Sequence, residues 1–130
     1  MNSFVRALSL MTILAVGCTD QPPARHMTQT TKPLPNLRAV HAVSWETSVP
    51  SEDSRQLNID YFGGSPDCYS YSHSEVEYEE ERILVTLFEG RHVRLRKGQT
   101  CTLEGVRKTQ VVPLESPLDG RSVVDGAAPS

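Results

Sequence analysis

The stretch Arg82-Ile83-Leu84-Val85-Thr86-Leu87-Phe88 decides the fold. It is rich in β-branched and aliphatic residues, and strict alternation puts Ile83, Val85 and Leu87 on one face, toward a core. No helical periodicity competes with it. On its N-terminal side, Glu79-Glu80-Glu81 turns the chain into it from the segment Cys68 to Glu79. There Tyr69 and Tyr71 share one face and Val76 and Tyr78 the other, so the apolar face switches near His73-Ser74, which predicts a β-bulge or a bend.

Further upstream, Leu57, Ile59 and Tyr61 alternate with Asn58 and Asp60 until Gly63-Gly64-Ser65-Pro66-Asp67 breaks the pattern. Before the turn at Pro50 to Asp53, the run Ala39 to Thr47 reads as one strand with His41, Val43 and Trp45 on a common face. Downstream, Glu89-Gly90 and Gly98-Gln99 bracket a basic stretch, and a last long strand is expected from about Thr102 to Leu114. Short strands separated by turn signals predict an all-β domain, a small antiparallel β-sandwich or barrel, over residues 38–125. Residues 126–130 read as a disordered tail.

At 130 residues the chain has room for one domain, and its 38% hydrophobic and 22% charged content lies in the globular range. The part that reads as core, Leu37 to Pro117, is close to the size at which a single hydrophobic core is marginal. A net charge of −3 gives no reason to expect nucleic acid, which calls for a basic surface.

The N-terminus reads as an address. Arg6 precedes the mostly apolar run Ala7 to Val16, which falls short of the roughly 20 residues a bilayer-spanning helix needs. It fits the core of a secretory signal over residues 1–17. Ala15-Val16-Gly17-Cys18 then resembles a bacterial lipobox, with Ala15 where leucine is usual, in which Cys18 is acylated and becomes the new N-terminus. The same small residues suit an ordinary signal peptidase, which would leave Cys18 free. Residues 18–37, polar and broken by Pro22, Pro23, Pro33 and Pro35, read as a flexible tether.

The chain has three cysteines, and an odd thiol in an exported protein requires an explanation. Lipidation of Cys18 supplies one and leaves Cys68 and Cys101, each at the edge of a strand-like segment, to form a disulfide. Closing that loop of about 33 residues is worth roughly 3–4 kcal/mol by chain entropy. A metal site is the rival use, but neither cysteine has a CxxC partner or a histidine at ligand spacing.

Tyr61-Phe62-Gly63-Gly64, then Asp67-Cys68, a Val-rich hairpin, Cys101, a strand and finally Pro117-Leu118-Asp119-Gly120-Arg121-Ser122-Val123-Val124-Asp125 form a distinctive order of features. It resembles small lipoproteins of the actinobacterial type. The resemblance implies a disulfide-stapled β domain outside the cytoplasm and brings no activity with it.

Candidate chemistry is sparse. Glu75, Glu77 and Glu79 share a strand face, but at about 7 Å between alternate side chains they suit a solvated edge better than a Ca²⁺ site. Arg91, Arg94, Arg96 and Lys97 form the one basic cluster. They are candidate contacts to anionic headgroups or cell-wall polymers, with pairing to those glutamates as the alternative. Tyr69, Tyr71 and Tyr78 offer an aromatic platform or simple core packing. His26, His41, His73 and His92 are scattered, there is no Gly-x-Ser-x-Gly elbow, and Gly63-Gly64 lacks the lysine and helix of a phosphate loop. No catalytic residue, metal site or cofactor is assigned. The expectation is a lipid-anchored, non-enzymatic envelope module with a protein or polymer partner. An inhibitor or immunity-type protein is the alternative, followed by a small envelope hydrolase.

Overall fold

The structure is a computed structural model that describes Gly17, residues 27–102 and residues 104–128. Cys18, the signal and lipobox readings other than Gly17, and His26 lie outside the described residues. Eight strands follow in chain order: β1 (Met27–Thr30), β2 (Leu37–Val43), β3 (Trp45–Pro50), β4 (Gln56–Gly63), β5 (Tyr69–Tyr78), β6 (Arg82–His92), β7 (Val106–Pro113) and β8 (Ser122–Asp125). Among the described residues the architecture is all-β, and the alternation at Arg82 to Phe88 lies in its longest strand.

The strands form two sheets. In the first, β6 is central, with β5 and then β1 on one side. Its other edge is shared, because β2 pairs with Leu87 to His92 while β8 pairs with Arg82 to Val85. The second sheet has the order β3-β4-β7. All pairings are antiparallel except β6–β8, which is parallel. The inner faces supply one buried cluster: Leu57, Ile59 and Tyr61 from β4, Val76 and Tyr78 from β5, Ile83, Val85 and Leu87 from β6, and Val112, Leu114 and Leu118. The expected switch in β5 is a register shift between Tyr71 and His73.

The run read as one strand from Ala39 to Thr47 is two. At Ser44 the chain leaves β6 and joins β4, so β2 and β3 lie in different sheets. Trp45 holds this corner: its indole donates to the Val85 carbonyl at 2.9 Å and its backbone N–H to Asp125 Oδ2 at 3.1 Å. Val43 and Trp45 both pack on the shared core, so the period-two pattern runs through the corner without registering it.

Residues 27–37, assigned to the tether on sequence, carry structure. β1 pairs with β5 from Met27 opposite Tyr78 to Thr30 opposite Glu75, and Leu34 N–H then bonds the Ser72 carbonyl. The one buried side chain of β1 is Gln29. Its amide donates to the Pro113 carbonyl at 2.7 Å and accepts from the Tyr78 hydroxyl. A strand anchored by a glutamine leaves no apolar alternation to read.

Strand ends also differ from the sequence reading. β6 continues past Phe88 to His92, and β7 begins at Val106, not Thr102. Within the expected tail, Gly126 N–H bonds the Val85 carbonyl and Ala127 N–H bonds Asp125 Oδ1.

A cationic cleft at the disulfide end

One end of the sandwich gathers the basic residues. Cys68, fully buried just before β5, is bonded to Cys101 across 33 positions of chain. Backbone bonds tie the end of β6 into the same corner, from His92 N–H to the Cys68 carbonyl (2.8 Å) and from Val93 N–H to the Asn36 carbonyl (2.9 Å). The loop beyond is closed by its own contacts. Gln99 N–H bonds the Arg96 carbonyl, Arg96 N–H bonds Gln99 Oε1, and the Gln99 amide reaches the Asp67 carbonyl at 3.1 Å. The basic stretch is therefore a pinned loop.

Two clefts flank this loop. One of about 620 Å³ is lined by Asp67, His92, Arg94, Arg96, Lys97 and Gln99, among others. Another of about 500 Å³ is lined by Leu34, Pro35, Leu37, Ser70, His92 and Arg94. His92 and Arg94 line both. In the smaller of the two, Ser70 Oγ and His92 Nε2 are 2.6 Å apart.

The four basic candidates do not act alike. Arg94, Arg96 and Lys97 are exposed and line the larger cleft, and none takes part in an ion pair among the described residues. Arg91 is half-buried, with a guanidinium nitrogen 3.8 Å from Cys101 Sγ and an Nε that has no hydrogen-bond partner among the described residues. It packs against the disulfide and lines neither cleft. Pairing with the glutamates is ruled out by placement. The Glu79-Glu80-Glu81 turn lies at the other end of β6, where Glu79 takes Arg82. Glu75 and Glu77 are exposed on β5, consistent with a solvated face. Of the tyrosines, Tyr78 is in the core and Tyr71 packs against it.

A polar cluster that sequence reading missed lies between the sheets. Glu89, only 2% exposed, extends the inward alternation of Ile83, Val85 and Leu87, which is the signal that marks it. Its carboxylate accepts from Lys108 Nζ at 3.0 Å and from Gly64 N–H at 2.7 Å. A Cβ at Gly63 would run into this carboxylate and one at Gly64 into the Tyr69 ring, so Gly63-Gly64 serves close packing here. Burial first, and the Glu89 charge second, push the Tyr61 phenol up to about 12. A cleft of about 270 Å³ opens beside Glu89, lined also by His41, Tyr69 and Glu104. Gly64 and Lys108 engage the two Glu89 oxygens, and the ion pair ties β6 to β7 across the sheets. Among the described residues, no three His, Cys, Asp or Glu side chains converge as metal ligands.

The Cys68–Cys101 disulfide is consistent with an extracellular or periplasmic location. No protein family matches the chain, and neither the curated proteins nor the solved structures give a match.

Proposed function

We propose that this chain is an exported, lipid-anchored protein of the bacterial cell envelope, a non-enzymatic module that binds an anionic partner through its disulfide end. The observation that carries the binding part is the trio Arg94, Arg96 and Lys97 on one cleft, with Asp67 the one carboxylate lining it. Gln99 already holds the backbone of the loop that carries them, so less chain has to be ordered when a ligand binds. The address rests on Arg6, the apolar run Ala7 to Val16, Ala15-Val16-Gly17-Cys18, the resemblance to small lipoproteins and the pairing of the other two cysteines. The pinned loop also favours a module over an inhibitor that works through a projecting hairpin.

The anchor is tested by detergent phase partition of wild type and Cys18→Ala. Wild type enters the detergent phase and the variant the aqueous phase; identical partitioning refutes the anchor. The hydrolase reading has one observation in its favour, the Ser70–His92 contact beside a cleft, since a base within hydrogen-bond reach activates a serine. Ester hydrolysis lost in Ser70→Ala would establish that reading in place of the module.

A further inference from the structure

We infer that the cationic cleft faces away from the membrane that holds the lipid, and that its occupant is a linear phosphate-bearing polymer of the envelope and not that membrane's own headgroups. The inference rests on the Cys18 anchor proposed above. Met27 pairs with Tyr78, beside the acidic turn, so the connection to Cys18 leaves the domain at its acidic end. The cleft lies past the opposite end of β6, which runs from Arg82 to His92. Ten rises of about 3.3 Å separate those residues, or about 33 Å.

Nine residue steps join Cys18 to Met27, and a fully extended chain covers at most about 3.6 Å per residue, or about 32 Å. Setting the cleft on the anchoring membrane would draw the whole connection taut along the length of the molecule. At any shorter extension the nearer end is the one with Glu79, Glu80 and Glu81, where Arg82 and Arg121 offset two of the three charges, so that end offers anionic headgroups no net attraction.

The shape and chemistry of the cleft select the occupant. His92 and Arg94 wall both clefts, so successive groups of a chain can reach the two sites, which a compact ligand cannot do. Two of its three cations are arginines, whose planar forks match phosphate oxygens.

The test uses the full-length lipidated protein reconstituted in zwitterionic vesicles, with fluorescent long-chain polyphosphate as probe and polyglutamate of equal length as comparison. Cys18→Ala protein free in solution is measured in parallel. The anchored and free proteins should bind polyphosphate equally and prefer it to polyglutamate. The combined variant Arg94→Gln, Arg96→Gln, Lys97→Gln should bind at least about tenfold more weakly. All three residues are exposed, and an unchanged circular dichroism spectrum shows that the variant is folded.

Wild-type binding by that variant overturns the site, and equal binding of polyglutamate overturns the phosphate assignment. Loss of polyphosphate binding on adding anionic lipid to the protein's own vesicles shows the cleft lying on that membrane and overturns the orientation. If Cys18→Ala partitions like wild type, the anchor reading fails and the orientation with it, while the free protein still reports on the cleft.

Discussion

At the scale of single residues, the buried Glu89–Lys108 pair sets the terms for its neighbours. Side-chain exposure of 15% for Lys108 and 3% for Glu89 leaves little water to compensate either charge alone. Lys108→Met should therefore cost about 3 kcal/mol or more in denaturant unfolding, and adding Glu89→Gln should recover part of that loss. Gly63→Ala forces the Glu89 carboxylate to move, at a cost of about 1–3 kcal/mol. Tyr61 adds a pH dependence. Its folded pKa of about 12 lies above the ordinary 10, so folding favours the protonated phenol. The resulting stability is complete below pH 10 and is lost as pH climbs toward 12. Unfolding free energies measured across that window should fall with pH in wild type and fall less steeply in Tyr61→Phe.

At the scale of elements, the first sheet depends on two irregular joins. β8 is a four-residue strand held in place by what precedes it. Arg121 donates to the carbonyls of Leu118, Pro117 and Glu79 and lies over the Tyr78 ring. Arg121→Ala should remove a net 1–3 kcal/mol or so and speed amide exchange selectively at Val123 to Asp125. β2 carries the other irregularity, a register shift between Arg38 and His41 with Ala39 at φ +51°. The left-handed region costs an alanine about 1–2 kcal/mol. Ala39→Gly should thus stabilise the protein by up to about 1 kcal/mol, net of glycine's larger entropy loss.

Elements were legible in the sequence where a single hydrophobic face repeats. β4, β6 and the bulge of β5 declare themselves through Leu57-Ile59-Tyr61, Ile83-Val85-Leu87 and the switch at His73. β1 does not, because its inward residue is Gln29, and the corner at Ser44 does not, because both strands feed the same core. The parallel seat of β8 depends on Arg121 and Asp125, polar residues whose partners lie 42 and 80 positions away. At the candidate site, sequence marked the basic cluster. It carried no sign that Arg91 would turn to the disulfide while the other three faced a cleft.

At the scale of the whole molecule, charge is separated along β6, with the acidic turn at one end and the cationic cleft at the other. The disulfide serves both halves of this arrangement. It closes a loop of 33 positions, worth roughly 3–4 kcal/mol, and it fixes the loop that presents Arg94, Arg96 and Lys97. Cys68→Ser with Cys101→Ser should lower unfolding stability by about that amount and weaken anion binding, since the cations would no longer be held in place. Anion binding by wild type should decline steeply with salt, as expected for contacts at an exposed surface.

The most direct measurement is the intact mass of the protein recovered from the membrane fraction, before and after reduction. The mass expected is that of a chain beginning at an acylated Cys18, rising by two hydrogens on reduction. A chain with unmodified Cys18, one that retains the first seventeen residues, or one whose mass does not change on reduction would contradict an exported, lipid-anchored, disulfide-locked module.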